Sequence, residues 1–267
     1  MTKNLVSIAG YDPSGGAGVL LDLRVFERLG QRGFGVLTAV TAQSPRKVHG
    51  VFPVTARAVA DQFGRLAEGI EVGGLKVGML ATSANLRAAA RILEANASRP
   101  RVVDPVLRSS SGAPLLEKRA WARFLAAIEG RAELITPNLD EAEALTGRSV
   151  RSVAAMKTAA EEVQRRTGAA CLLKGGHLDG PAVDILFDGK DFAAFAHPRL
   201  ARSVRGTGCF LSSAVLCYLA EGRPLKEACG LAIVRLLRGM RAAVEADGGA
   251  WVFAFNRDRG RVPLPPD

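Results

Sequence analysis

The sequence predicts an α/β fold in which a mostly parallel sheet is covered by helices on both faces. Three observations predict it. Short apolar runs of strand length alternate with amphipathic helical stretches along the chain. The polar motifs sit at the carboxyl ends of the predicted strands, where such sheets bind ligands. The 267 residues, 48% hydrophobic, suffice for one large domain with a full core, so residues 1–267 are read as a single domain.

The elements follow in order. Residues 5–9 form a short apolar strand that runs into a glycine-rich loop, and the helical pattern 19–29 follows. Residues 34–40 are a strand and 56–70 an amphipathic helix. Strand 74–78, helix 83–95 and strand 101–104, which ends on the carboxylate Asp104, continue the alternation. Helix 117–128, strand 134–136, helix 139–145, helix 154–165 and strand 170–174 repeat it. Residues 183–187 and 192–195, joined across Asp188-Gly189, read as a hairpin. Helices 209–220 and 225–246 close the chain.

Two glycine-rich loops stand out. Gly206-Thr207-Gly208-Cys209 precedes a small, apolar run and reads as a loop opening a helix. The free amides of a first helical turn carry partial positive charge and make an anion seat suited to a phosphoryl group. At that place the Cys209 thiol is expected to have a lowered pKa and to accept a proton. The alternative is a small-residue helix start with a buried thiol. The second loop, Gly10-Tyr11-Asp12-Pro13-Ser14-Gly15-Gly16-Ala17-Gly18, lets backbone approach a ligand closely. It is not a Walker A loop, since no Gly-Lys-Ser/Thr ends it. Nor is it a dinucleotide fingerprint, since Leu21 stands where the third glycine belongs.

Composition narrows the classes. The net charge is +10, but the 36 basic residues are scattered, and two Trp and two Tyr offer little to stack on bases. No nucleic-acid partner is expected. Arg235, Arg238 and Arg241 read as a solvated helix face, and the positive balance as attraction of an anionic substrate such as a nucleotide. No apolar run approaches a membrane span, and the stretch after Lys3 is broken at Gly10, so neither membrane nor export is expected. Cys171, Cys209, Cys217 and Cys229 lack metal spacing and suggest reduced thiols in the cytoplasm. His49, His177 and His197 form no metal set.

Seven motifs occur in a telling order: residues 10–18, Thr41-Ala42-Gln43, Lys76-Val77-Gly78-Met79-Leu80, Val103-Asp104-Pro105-Val106, Thr136-Pro137-Asn138-Leu139 with Glu141, Lys174-Gly175-Gly176-His177, and Gly206-Thr207-Gly208-Cys209. From about residue 5 to residue 230 the chain resembles the hydroxymethylpyrimidine/phosphomethylpyrimidine kinases of thiamin biosynthesis, in the ribokinase-like superfamily. The resemblance implies a three-layer α/β/α fold, ATP and Mg²⁺ as cofactors, and phosphorylation of a pyrimidine hydroxymethyl group or its monophosphate. It also implies a homodimer. Some close relatives act on pyridoxal or pyridoxine. A catalytically weakened paralogue that senses a pyrimidine phosphate is the reading from another class.

The resemblance gives the residues roles. Gly206 and Gly208 hold the transferring oxygens and Cys209 is the base, where sugar-kinase relatives carry an aspartate. Thr207 and Lys174 reach the ATP phosphates. Asp104 orients Mg²⁺ or the phosphates, and Asn138 and Glu141 help place hydrated Mg²⁺. From the residues alone, Asn138 is equally a helix cap with a nearby acid. Gln43 reads the aminopyrimidine edge with its amide. Ala17, Met79 and Val106 wall the ring, and Gly10 and Asp12 belong to the acceptor loop. Departures from the family pattern are Tyr11 for a serine or threonine, Val19-Leu20-Leu21 for a more polar helix start, and Ser44-Pro45 for asparagine-threonine. Arg108-Ser109-Ser110 replaces a stretch that often holds a lysine, and Arg205 replaces a histidine. Ile233 replaces a phosphate-facing lysine, for which Arg205 or Arg235 is the expected substitute.

Overall fold

The computed structural model describes residues 1–109, 111–176, 178, 182–200, 203–246 and 249–255. Its elements are β1 (Asn4–Tyr11), α1 (Gly18–Arg28), β2 (Arg32–Gln43), β3 (Val48–Pro53), α2 (Ala56–Gly69), β4 (Val72–Val77), α3 (Ser83–Ala95) and β5 (Arg101–Val103). There follow α4 (Lys118–Ile128), β6 (Leu134–Ile135), α5 (Leu139–Thr146), α6 (Val153–Thr167), β7 (Ala170–Leu173), β8 (Ala182–Phe187) and β9 (Phe192–His197). The chain continues through α7 (Thr207–Ala220), α8 (Leu225–Arg241), β10 (Val244–Ala246) and β11 (Ala250–Val252).

Nine strands form one sheet in the order β3-β2-β1-β4-β5-β6-β7-β8-β9. The pairs from β2 through β7 are parallel, and β3, β8 and β9 join the two ends antiparallel. Alternate residues of the central strands face opposite sides, so two cores form. Val103, Ile135 and Leu173 pack with Phe63, Leu93, Phe124 and Val163 from α2, α3, α4 and α6. Val102, Leu134 and Leu172 pack with Phe26, Leu216 and Ala232 from α1, α7 and α8. This is the three-layer α/β/α arrangement. Helix α7 is buried on every residue from Phe210 to Leu219, which is why its sequence has no polar face. Among the described residues, no helix is long and apolar enough to cross a membrane.

The helix ends follow local chemistry. Thr55, Thr82 and Ser152 each accept a backbone N–H three residues on, and α5 and α6 stop at left-handed Gly147 and Gly168. Two expectations are corrected. The helix expected over 225–246 ends at Arg241, and the chain turns into the antiparallel pair β10–β11. That pair has a partner in the fold: Val204 bridges Trp251, and Phe253 stacks on Phe210 with ring centroids 4.6 Å apart. Strand β3 was not expected at all. Its residues Val48–Pro53 alternate poorly, and pairing with the long β2 is what holds them extended.

Candidate active site

The parallel strands end along one rim, and the two glycine-rich loops meet there. Gly206 is the N-cap of α7, at φ 76°, with no side-chain cap on the helix. A Cβ on Gly206 would lie 2.2 Å from the Gly16 carbonyl oxygen and 2.4 Å from Leu21 Cδ2. Only glycine satisfies both the left-handed backbone and this contact with the first loop. The first loop closes on itself in the same way: Gly18 is at φ 60°, and a Cβ there would lie 2.3 Å from the Gly10 oxygen.

A charged cluster faces the first turn of α7. A Cβ on Gly208 would lie 3.0 Å from Lys174 Nζ and 3.3 Å from Asp104 Oδ2, so both groups stand against the first turn of α7. Lys174 Nζ donates to Asp104 Oδ1 at 2.9 Å and lies 3.9 Å from Glu141 Oε2. Thr136, which the sequence reading gave no role, donates its hydroxyl to Asp104 Oδ1 at 3.1 Å. Burial opposes the Lys174 charge, but Asp104 and Glu141 outweigh it and hold its pKa above the ordinary lysine value. Burial pushes the Glu141 carboxyl up to about 7; Lys174 pulls against that, and Asp104 adds to it. Two carboxylates thus share one ammonium, an acidic excess that a hydrated divalent cation relieves, and the oxygen donors suit Mg²⁺. Among the described residues, no three His, Cys, Asp or Glu side chains converge as a metal cage.

Asn138 and Glu141 also have a structural role. They form a reciprocal capping box on α5: Glu141 N–H donates to Asn138 Oδ1, and Asn138 N–H to Glu141 Oε2, each at 2.8 Å. The helix-cap reading of Asn138 therefore describes its side-chain oxygen. Asn138 is still placed at the site, since it bridges Lys174 at the ends of β6 and β7.

Cys209 lies in the first turn of α7, half-buried. The expectation of a lowered thiol pKa is corrected. Burial pushes it up to about 11, Lys76 works against that rise, and Asp22 and Asp104 add to it. Desolvation disfavours the thiolate and is the largest cause of the shift. The sequence reading also missed what lies beneath. Lys76 and Asp22, both fully buried, pair at 2.8 Å, and Asp22 accepts from Ser7 at 2.5 Å and Ser213 at 2.9 Å. A charged residue in a predicted strand or helix gives no sign of this, because the pairing joins α1 to β4.

The residues expected to bind the acceptor sit in or beside the first loop and at the end of β2. A Cβ on Gly10 would lie 2.6 Å from Met79 Sδ, which places Met79 against the loop. Met79 and Val106 belong to one small apolar cluster with Ala39 and Ala81. Ala17 is the N-cap of α1. Gln43 ends β2, and its Oε1 accepts from Thr41 Oγ1 at 3.1 Å. Asp12 is buried and already engaged, by Ser14 N and Oγ at 2.9 and 2.7 Å and by Arg205 at 3.1 Å, so its carboxylate shapes the loop. Neither expected substitute for the missing lysine faces a phosphate seat. Arg235 donates to the Tyr218 hydroxyl at 3.0 Å, Arg205 is tied to Asp12, and Ile233 is core. His177 and Ser110 lie outside the described residues.

Known proteins resemble this chain in sequence and in fold. The sequence pattern of a family described as phosphomethylpyrimidine kinase matches residues 12–252. The thiamine biosynthesis bifunctional protein of Geobacter sulfurreducens is 41% identical over 243 residues, 90% of this chain; the chain spans 49% of that protein's length. The hydroxymethylpyrimidine/phosphomethylpyrimidine kinase of Aquifex aeolicus is 38% identical over 225 residues, covering 84% of this chain and 88% of the relative. The pyridoxal kinase of Staphylococcus aureus, solved with ADP, has the same ribokinase-like fold, with a TM-score of 0.87, 28% identity, and coverage of 96% of this chain and 94% of that one. Because the family match begins in the first glycine-rich loop and runs past the second, this chain belongs to the phosphomethylpyrimidine kinase family of phosphotransferases.

Proposed function

We propose that the protein transfers the γ-phosphoryl group of ATP to the hydroxymethyl oxygen of 4-amino-5-hydroxymethyl-2-methylpyrimidine, and to its monophosphate, in thiamin biosynthesis. The observation that carries the reading is Lys174 and Asp104 set against Gly208 at the uncapped start of α7. Phosphoryl transfer needs positioning and charge neutralisation more than covalent help. The amides of Thr207, Gly208 and Cys209 receive the equatorial phosphate oxygens, and Lys174 neutralises charge as it develops. Asp104 and Glu141 would hold hydrated Mg²⁺, which supplies further neutralisation of the phosphates. The acceptor oxygen bonds to the γ-phosphorus, the β–γ bridging oxygen leaves with ADP, and the hydroxyl proton passes to Cys209 Sγ in its thiolate form. Lys76 favours that thiolate. Gln43 reads the ring edge, and Met79, Val106 and Ala17 wall it.

The reading extends to the whole chain. It is taken as one kinase domain, supported by a sheet that runs unbroken from β3 to β9 with α7 and α8 packed on it. A homodimer is supported by Val40 and Phe52, which pair across the β2–β3 edge and are 41% and 62% exposed. A cytoplasmic setting is supported by free Cys171, Cys217 and Cys229, all buried thiols. Likeness to a pyridoxal kinase favours pyridoxal as the second acceptor to try. The test is ADP release with each alcohol. Turnover of the pyrimidine above pyridoxal is expected. Turnover of pyridoxal alone overturns the substrate, and binding without turnover of either favours a sensor.

A further inference from the structure

Arg205 is the residue before the anion seat, and its guanidinium reaches two other segments. Nη2 donates to Asp12 Oδ2 at 3.1 Å. Nη1 lies 3.3 Å from Ser14 Oγ, 3.2 Å from the Ser44 carbonyl oxygen and 2.7 Å from that of Pro45. Its Cζ would lie 3.6 Å from a Cβ on Gly16, so the guanidinium lies beside the glycine loop. The pair is shielded, with the Arg205 and Asp12 side chains 14% and 5% exposed. The Arg205 backbone is held from behind, its N–H donating to the Trp251 oxygen of β11 at 3.0 Å.

The segments joined are the acceptor loop 10–18, the turn that follows Gln43, and the entry to α7. The first contains Gly15 and Gly18, both at positive φ. The second is a surface turn closed by Ser44 N–H to the Lys47 oxygen at 3.0 Å. We propose that Arg205 is a positioning residue for the acceptor: it fixes the loop and the Gln43 turn to the anion seat, so that one side chain sets where the acceptor ring lies relative to the phosphoryl group. The proposal rests on the acceptor site described above. A guanidinium suits it, because its several N–H donors lie within reach of a carboxylate, a hydroxyl and two carbonyl oxygens; an ammonium is a compact point charge without that fork.

The test compares wild type, Arg205→Lys and Arg205→Met by calorimetric binding of the pyrimidine alcohol, of pyridoxal and of an ATP analogue, and by turnover. Arg205→Met is expected to weaken acceptor binding roughly tenfold or more, as a buried carboxylate loses its partner, and nucleotide binding by less than about twofold. Arg205→Lys is expected to fall between, and methylguanidinium to restore acceptor binding in Arg205→Ala. Equal weakening for acceptor and nucleotide, or no change for either, overturns the proposal. If wild type binds neither acceptor, the acceptor reading itself fails. Hydrogen exchange then decides the clamp, which predicts faster exchange at Ser14, Gly15 and Ser44 in Arg205→Lys; unchanged exchange there overturns it.

Discussion

Cys209 concentrates the chemistry at the residue scale. Its thiol is pushed up to about 11, so the thiolate is scarce at neutral pH. If it is the base, kcat/KM rises with pH through the neutral and mildly alkaline range, since that ratio reports the free enzyme. Cys209→Ala is expected to lower kcat by about 10²–10⁴-fold with acceptor KM little changed, the usual worth of a positioned base. Cys209→Asp puts a stronger acid than the thiol at the same place and is expected to move the pH rise to lower pH. A Cys209→Ala enzyme with near-normal turnover would leave the anion seat and Lys174 as the main contributors. Gln43 offers a separate test. Gln43→Ala is expected to weaken acceptor use by about 1–3 kcal/mol while ATP KM stays constant. Steady-state kinetics in both substrates reads this, and equal losses would make Gln43 a loop support.

At the scale of elements, the β8–β9 hairpin anchors the turn that follows Lys174. Asp184 on β8 accepts the Gly175 N–H at 2.9 Å and lies 3.4 Å from His197 Nε2 on β9. The bond to Asp184 raises the His197 pKa above its usual 6.5, against burial. A raised histidine stabilises the fold fully below its unfolded pKa, and the contribution is lost as pH rises through the folded one. His197→Gln is therefore expected to lower Tm by about 2–4 °C near pH 5.5 and by much less near pH 9, consistent with about 1 kcal/mol in a chain this long. Thermal melts at both pH values check it. A deficit equal at the two would assign the loss to packing. The β10–β11 pair is the other anchor, holding Val204 and Arg205 from behind the anion seat.

For the whole molecule, both cores and the site share one sheet, so ligand at the rim stabilises the fold by mass action. ATP with Mg²⁺ at about a hundred times its Kd is expected to add about 2.7 kcal/mol. Replacing Mg²⁺ by EDTA is expected to remove most of that gain, because Asp104 and Glu141 then face the phosphates without a cation between them. Denaturant melts with nucleotide, with and without metal, read the difference. An equal gain in EDTA would remove Asp104 and Glu141 from metal binding.

Much of the fold was legible in the sequence because its central strands are buried on both faces and read as uniform apolar runs. Helix α3 lies at its expected residues, and the parallel order follows from strands alternating with helices. The two glycine-rich loops were legible for a related reason: a left-handed turn and a close backbone approach demand glycine, so Gly18 and Gly206 announce themselves. What is non-local was not legible. Strand β3 and the β10–β11 pair are extended because of partners elsewhere in the chain, not because of their own residues. The Cys209 pKa depends on how much water and charge surround the sulfur, which a helix-start motif does not specify. Asp22 and Lys76 are 54 positions apart, and Asp12 and Arg205 are 193 apart. The layered fold and the two glycine-rich loops can be read from the chain itself, since they depend on local pattern and on steric demands of single residues. The tertiary structure alone decided which charges pair, because burial makes an unpaired charge costly and only the fold says which partner lies within reach.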